Sequence, residues 1–161
     1  MSAYTATIDW TLEGVFERGR YSRAHTVRFD GGIEIKGSSS PSVVPLPWSA
    51  QDAVDPEEML VASLSACHML TFLDIARRAG WSIDRYSDAA EGVMTKREDG
   101  RSWVSDVVLR PKIGWVGAAP SPAELDALHH EAHALCFIAN SVKTEVRVEA
   151  PQPLIPAEAG T

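Results

Sequence analysis

The stretch Asp55-Pro56-Glu57-Glu58-Met59-Leu60-Val61-Ala62-Ser63-Leu64-Ser65-Ala66-Cys67-His68 decides how this chain is read. Asp55 is a good helix N-cap, because its carboxylate can accept backbone N–H groups of the first turn. Pro56 suits the first helical position, and Glu58 two residues later completes a capping box. Gly80 is a natural stop. Between Glu58 and Asp74 the residues are apolar or small on every side, which predicts a helix buried all round. Cys67 lies about three turns into that helix.

The other cysteine, Cys136, sits in Leu135-Cys136-Phe137-Ile138-Ala139-Asn140-Ser141. Each cysteine falls in a strong helical pattern, and the two are far apart in sequence. That suggests a redox pair brought together by the fold, since a disulfide-stapled scaffold carries several cysteines. Either cysteine taken alone reads equally well as an inert core residue.

Bulk properties bound the possibilities. A chain of 161 residues can bury one core, and a single domain over residues 1–150 is expected, with a mobile tail over 151–161. Apolar and charged fractions of 45% and 23% are those of a soluble globular protein. A net charge of −7 without a basic patch argues against nucleic acid. The N-terminus lacks the basic segment and apolar core of a signal peptide. The apolar stretch over residues 59–73 is too short to span a bilayer, so no membrane partner is expected. A cytoplasmic, reducing location follows, and there a cysteine pair is more often catalytic or metal-binding than structural.

Tyr4, Ala6, Ile8 and Trp10 alternate with polar residues, as in a half-buried strand. Arg23, His25, Val27 and Phe29 share one face of a second strand, and Asp30-Gly31-Gly32 turns it into a hairpin. Residues 37–54 form a Ser- and Pro-rich loop of the kind that covers or lines something. Residues 89–96 pair with 103–109 across Glu98-Asp99-Gly100, and 112–116 extend that sheet past Pro111. Ser121-Pro122-Ala123-Glu124 is a second capping box, opening a helix through about Ala139. Val142, Thr144, Val146 and Val148 mark a final strand. Strands grouped around two separate helices give an α+β domain.

His129, His133 and Cys136 are spaced four and three apart, so they share a face of a helix. With Cys67 or His68 they make a conceivable zinc set, although the spacing matches no common structural zinc motif. The competing reading, which we adopt, is that the histidines, His130 included, flank the cysteine and no metal is bound. No glycine-rich dinucleotide loop is present, so no cofactor is expected. Trp48, Trp81, Trp103 and Trp115, with Val43, Val44 and Leu46, could line an apolar entry or belong to the core.

The Pro56-Glu57 to Cys67 spacing, together with the Cys136…Asn140-Ser141 segment, resembles the OsmC/Ohr family of thiol-dependent peroxidases. The likeness covers nearly the whole chain. It implies an OsmC-like α+β fold with antiparallel sheets, two long helices carrying the cysteines, and an intertwined homodimer. It also implies reduction of organic hydroperoxides, and possibly hydrogen peroxide, in oxidative-stress defence. Cys67 would attack the peroxide, Cys136 would resolve the sulfenate as a disulfide, and an external thiol or dithiol would restore the pair. An arginine and Glu57 would assist. Phe137 stands where family members commonly have proline, and His68 where an aromatic residue is common. A non-catalytic protein of the same fold, holding a small hydrophobic ligand or a metal, is the alternative.

The nucleophile is a thiolate, and apolar burial disfavours it, so a reactive Cys67 needs a cation. His68 points about 100° away from it around the helix. Arg23 is preferred over Arg20 and Arg18, because on a continuous strand Arg23 lies on the inward face while Arg20 shares its parity with Arg28. Glu57 would orient the guanidinium. It precedes Cys67 by ten residues, about 15 Å along a helix, so serving one site would require a second copy of the helix. The plainer role of Glu57 and Glu58 is to complement the helix dipole.

Overall fold

The structure, a computed structural model, describes residues 1–149. The tail expected to be mobile lies outside the described residues. The chain divides into two compact units, Met1–Leu60 and the chain from Val61 onward.

In the first unit the strands are β1 (Ala6–Asp9), β2 (Gly14–Val15), β3 (Arg20–Tyr21), β4 (His25–Phe29) and β5 (Glu34–Gly37). An antiparallel sheet runs in the order β1-β4-β5, and β2 pairs with β3 around the 3-10 turn Phe16–Arg18. The β4–β5 hairpin turns where expected, and Gly32 takes the left-handed conformation at φ 82° that the turn needs. Two expectations fail here. β1 is exposed on both faces, with Ile8 59% accessible, so its alternation marks no buried side within one chain. The strand through Arg23 is also broken. Pairing stops at Tyr21 and resumes at His25, because the Arg23 N–H is bonded to the Trp48 carbonyl of the long loop (2.9 Å). Strand parity therefore does not decide which arginine faces inward.

Helix α1 (Pro56–Arg78) begins with the expected capping box. The Glu58 N–H donates to Asp55 Oδ1 (2.8 Å) and the Asp55 N–H donates to Glu58 Oε2 (3.1 Å). Gly80, at φ 89°, ends it. Its buried face carries Leu64, His68, Phe72, Ile75 and Ala76. The opposite face was expected to be covered too, but Ala62, Ala66 and Leu70 are exposed, Leu70 by 64%. The continuous helix outruns the apolar stretch in the sequence. By length and composition alone α1 could cross a membrane, yet its Phe72, Ile75 and Ala76 pack in the core of the second unit.

That unit contains β6 (Ile83–Asp88), β7 (Glu91–Lys96), β8 (Ser102–Leu109), β9 (Pro111–Trp115), α2 (Pro122–Leu135) and β10 (Glu145–Val148). β7 and β8 form the expected hairpin, and β10 joins β8 in parallel. β9 does not extend that sheet. It pairs with β6, a strand whose run Ile83-Asp84-Arg85-Tyr86-Ser87-Asp88 is too polar to stand out. Proline is tolerated as the first residue of β9. α2 opens with the Ser121–Glu124 capping box but stops at Leu135 rather than Ala139, because Cys136 adopts extended dihedrals (φ −67°, ψ 115°). The core is Phe72, Ile75 and Ala76 of α1 against Leu128 and Ala132 of α2, flanked by Trp81, Tyr86 and Trp115. Burying a side chain the size of Phe72 contributes about 1.5–3 kcal/mol.

Gly92 on β7 fits under α1: a Cβ there would lie 2.6 Å from Val61 Cγ2. Valine has one strongly preferred rotamer in a helix and yields poorly. Gly92→Ala should therefore destabilise the protein by about 1–3 kcal/mol, read as a lowered urea midpoint. Adding Val61→Ala should recover part of that loss.

Candidate functional site

The two cysteines, 69 positions apart in sequence, meet in the second unit. Both are free thiols. Cys67 projects half-buried from the third turn of α1, and Cys136 caps the C-terminal end of α2 with 1% of its surface accessible. The Cys136 thiol is raised above its ordinary value, first by burial and then by the neighbouring Cys67. The Ala139 N–H, which donates to Cys136 Sγ at 3.5 Å, partly opposes this. Cys136 is thus held as a neutral thiol against Cys67.

The turn after α2 explains its own sequence. The Asn140 amide donates to the carbonyls of Ala134 (2.9 Å) and Cys136 (3.0 Å), and Ser141 Oγ donates to the Phe137 carbonyl (2.7 Å). Asn140 and Ser141 thereby satisfy carbonyls that the end of a helix leaves open and fix the cysteine backbone. On the α1 side, Ser65 Oγ donates to Asp88 Oδ2 (2.5 Å), while Asp88 Oδ1 accepts the Arg110 N–H (2.6 Å). One carboxylate at the end of β6 therefore ties α1, half a turn before Cys67, to the sheet. Sequence reasoning missed Asp88 because it missed β6.

Arg23 and Glu57 belong to the first unit. The Arg23 guanidinium donates to the carbonyls of Gly19 (3.0 Å) and Tyr21 (2.5 Å) and stacks 3.7 Å from the Tyr21 ring centroid. Among the described residues it has no carboxylate partner. It lines a cavity of about 320 Å³ with Trp10, Phe16, Tyr21, His25 and Ser38. Of the four tryptophans proposed for an apolar entry, Trp48 accepts the Arg23 N–H with its carbonyl, Trp81 and Trp115 meet edge to face at 6.1 Å beside the core of the second unit, and Trp103 lies under Arg97. Arg18 and Arg20 are exposed. Glu57 is half-buried in the first turn of α1 and has no ion-pair partner among the described residues. A single continuous helix separates it from Cys67 by about 15 Å.

The histidines are arranged differently from the sequence reading. Cys136 lies past the end of α2, so His129, His133 and Cys136 do not share one helical face. Instead His129 pairs with His68 of α1, Nδ1 to Nε2 at 3.1 Å, and its ring stacks on Phe72 with centroids 4.3 Å apart. Both imidazoles are buried. His68 Nδ1, His129 Nε2 and His133 Nδ1 have no hydrogen-bond partner among the described residues. His130 is exposed. Among the described residues no three His, Cys, Asp or Glu side chains converge to hold a metal ion.

Burial lowers both buried histidines to about 4 from the ordinary 6.5. His129 and His133 lower His68 further, while Asp88 of β6 opposes this for His68 and Asp126 of α2 opposes it for His129. A folded-state value below the unfolded one means that the unfolded chain takes up protons first. The stabilisation is therefore complete above pH 6.5 and is lost as pH falls toward 4. Each such proton steepens the loss by about 1.4 kcal/mol per pH unit. The urea midpoint should drop across that window, and the drop should flatten in His68→Leu/His129→Leu.

Comparison with known proteins places the chain. The family model of OsmC-like proteins matches residues 49–150. The solved structure of an OsmC-like protein of unknown function from Vibrio cholerae is 47% identical, covering 92% of this chain and 99% of its own, with a TM-score of 0.88. An organic hydroperoxide resistance protein from Elizabethkingia anophelis (19% identity, 92% and 96% covered, TM-score 0.67) shares the fold. So does the organic hydroperoxide resistance protein OhrB of Bacillus subtilis (20% identity, 90% and 96% covered, TM-score 0.63). No curated protein matches the sequence. With its two helices, its sheets and most of its length accounted for in this way, the chain belongs to the OsmC-like family.

Proposed function

We propose that this protein is a cytoplasmic, thiol-dependent hydroperoxide reductase. The observation that carries the reading is the pair of free thiols, with the buried Cys136 beside Cys67 at the junction of α1 and α2. Two solved structures of the same fold bear the name organic hydroperoxide resistance protein, which favours an organic hydroperoxide as substrate.

In this reading the Cys67 thiolate attacks the outer peroxide oxygen and the O–O bond breaks. The alkoxide leaves and takes a proton as the alcohol, and Cys67 becomes a sulfenic acid. Cys136 then attacks the Cys67 sulfur, the sulfenate hydroxyl leaves as water with the Cys136 proton, and a disulfide remains. An external thiol or dithiol supplies the two electrons that restore the pair. Holding Cys136 as a neutral thiol next to Cys67 suits a resolving role: it does not compete for peroxide, and it is already in reach of the sulfenate.

Arg23 supplies the cation that favours the Cys67 thiolate. Its partial burial, with bonds to carbonyls rather than carboxylates, supports this choice over the exposed Arg18 and Arg20. Glu57 orients Arg23 and comes from a second copy of the chain. The uncovered stripe of Ala62, Ala66 and Leu70 along α1 supports a homodimer, since an apolar helix face of that kind is buried in association.

Hydroperoxide consumption tests the assignment. Cys67→Ser should abolish it. Cys136→Ser should complete one reaction per chain and then stall at oxidised Cys67. Arg23→Ala should slow the first step on the order of 10²-fold while the dimer stays folded. Mixed dimers of Cys67→Ser and Glu57→Ala chains should recover activity that neither parent has. Undiminished consumption by Cys67→Ser would refute the enzyme reading, and a fully active monomer would refute the shared site.

A further inference from the structure

The buried histidine pair lies on the two helices that carry the thiols. His68 directly follows Cys67 on α1, and His129 lies two turns before Cys136 on α2. Around them the contact between α1 and α2 is apolar: Phe72, Ile75 and Ala76 against Leu128 and Ala132. Apolar burial is non-directional and tolerates sliding. A hydrogen bond is directional and short-ranged. A shift of α1 by one residue, about 1.5 Å, would break the 3.1 Å contact between His68 Nε2 and His129 Nδ1. It would carry Cys67 away from Cys136 by the same step.

The pair is also a poor way to gain stability. One nitrogen must donate and the other accept, which leaves His68 Nδ1 and His129 Nε2 buried without a partner among the described residues. Buried polar groups left in that state destabilise, and apolar residues of similar shape are often neutral or better. A buried polar contact that specifies register is the best-attested reason for retaining one.

We propose that the His68–His129 hydrogen bond pins the register of α1 on α2 and thereby sets the approach of the Cys67 and Cys136 thiols. The two histidines are positioning residues for disulfide formation, and this rests on the reading of the cysteines as a redox pair.

The test is thiol–disulfide equilibrium in glutathione buffers, with trapped thiols counted by mass. Oxidised glutathione takes two electrons from Cys67 and Cys136 and leaves as two reduced molecules, so no peroxide is involved. His68→Leu/His129→Leu should be at least as resistant to urea at pH 7 as the wild type. Its equilibrium constant for the Cys67–Cys136 disulfide should nevertheless fall about tenfold, or about 30 mV for a two-electron couple. His68→Met, which fills the space without the hydrogen bond, should show the same loss. His68→Gln, whose amide can replace the bond, should stay near the wild-type constant. A wild-type constant in both apolar variants, or a His68→Gln variant as impaired as His68→Met, would overturn the proposal alone. A wild-type chain that forms no intramolecular disulfide in any buffer would overturn the redox-pair reading and the proposal with it.

Discussion

Phe72 is the contact on which the second unit depends. Its ring is fully buried, stacked on His129 of α2, tilted against Tyr86 of β6 and edge to face with Trp115 of β9. It therefore joins both helices and the β6–β9 ribbon in one place. Cys67 sits five residues earlier on the same helix, and Cys136 seven residues after His129. Packing around Phe72 brings α1 against α2, and that contact brings the two sequence-distant thiols together. The Ser65–Asp88 bond then anchors α1 two residues before Cys67, and the Asn140–Ser141 turn holds the backbone at Cys136.

The electrostatics of the site follow from the same burial. The core that orders Cys136 also raises its thiol, and it keeps His68 and His129 neutral at ordinary pH. A medium that disfavours charge suits a resolving thiol and does not suit a nucleophile. Cys67, at the half-buried edge, is the thiol that a cation can serve. The core supplies none, which is why an arginine from outside it enters the proposed mechanism.

Much of this was legible in the sequence because the relevant signals are local. Asp55-Pro56 with Glu58, and Ser121 with Glu124, are caps whose chemistry is read within four residues. The Glu98-Asp99-Gly100 and Asp30-Gly31-Gly32 turns are equally self-contained. What failed was long-range. β6 is recognisable only by its partner β9, since its own side chains are mostly polar. The Arg23 strand breaks because its N–H is captured by Trp48 of a distant loop. Spacing placed His129, His133 and Cys136 on one helix face, but the helix stops at Leu135, and the partner that matters, His68, lies on another element. The family resemblance was visible because the Pro56-Glu57 to Cys67 and Cys136 to Asn140-Ser141 spacings are set within single elements.

In the proposed mechanism Cys67 and Cys136 act as one redox centre. Peptide mapping by mass spectrometry after one equivalent of an organic hydroperoxide tests it most directly. A redox pair requires loss of both free thiols per chain and a single cross-link between the peptides carrying Cys67 and Cys136 of the same chain. Two intact thiols, or oxidation confined to one cysteine with no cross-link, would contradict it.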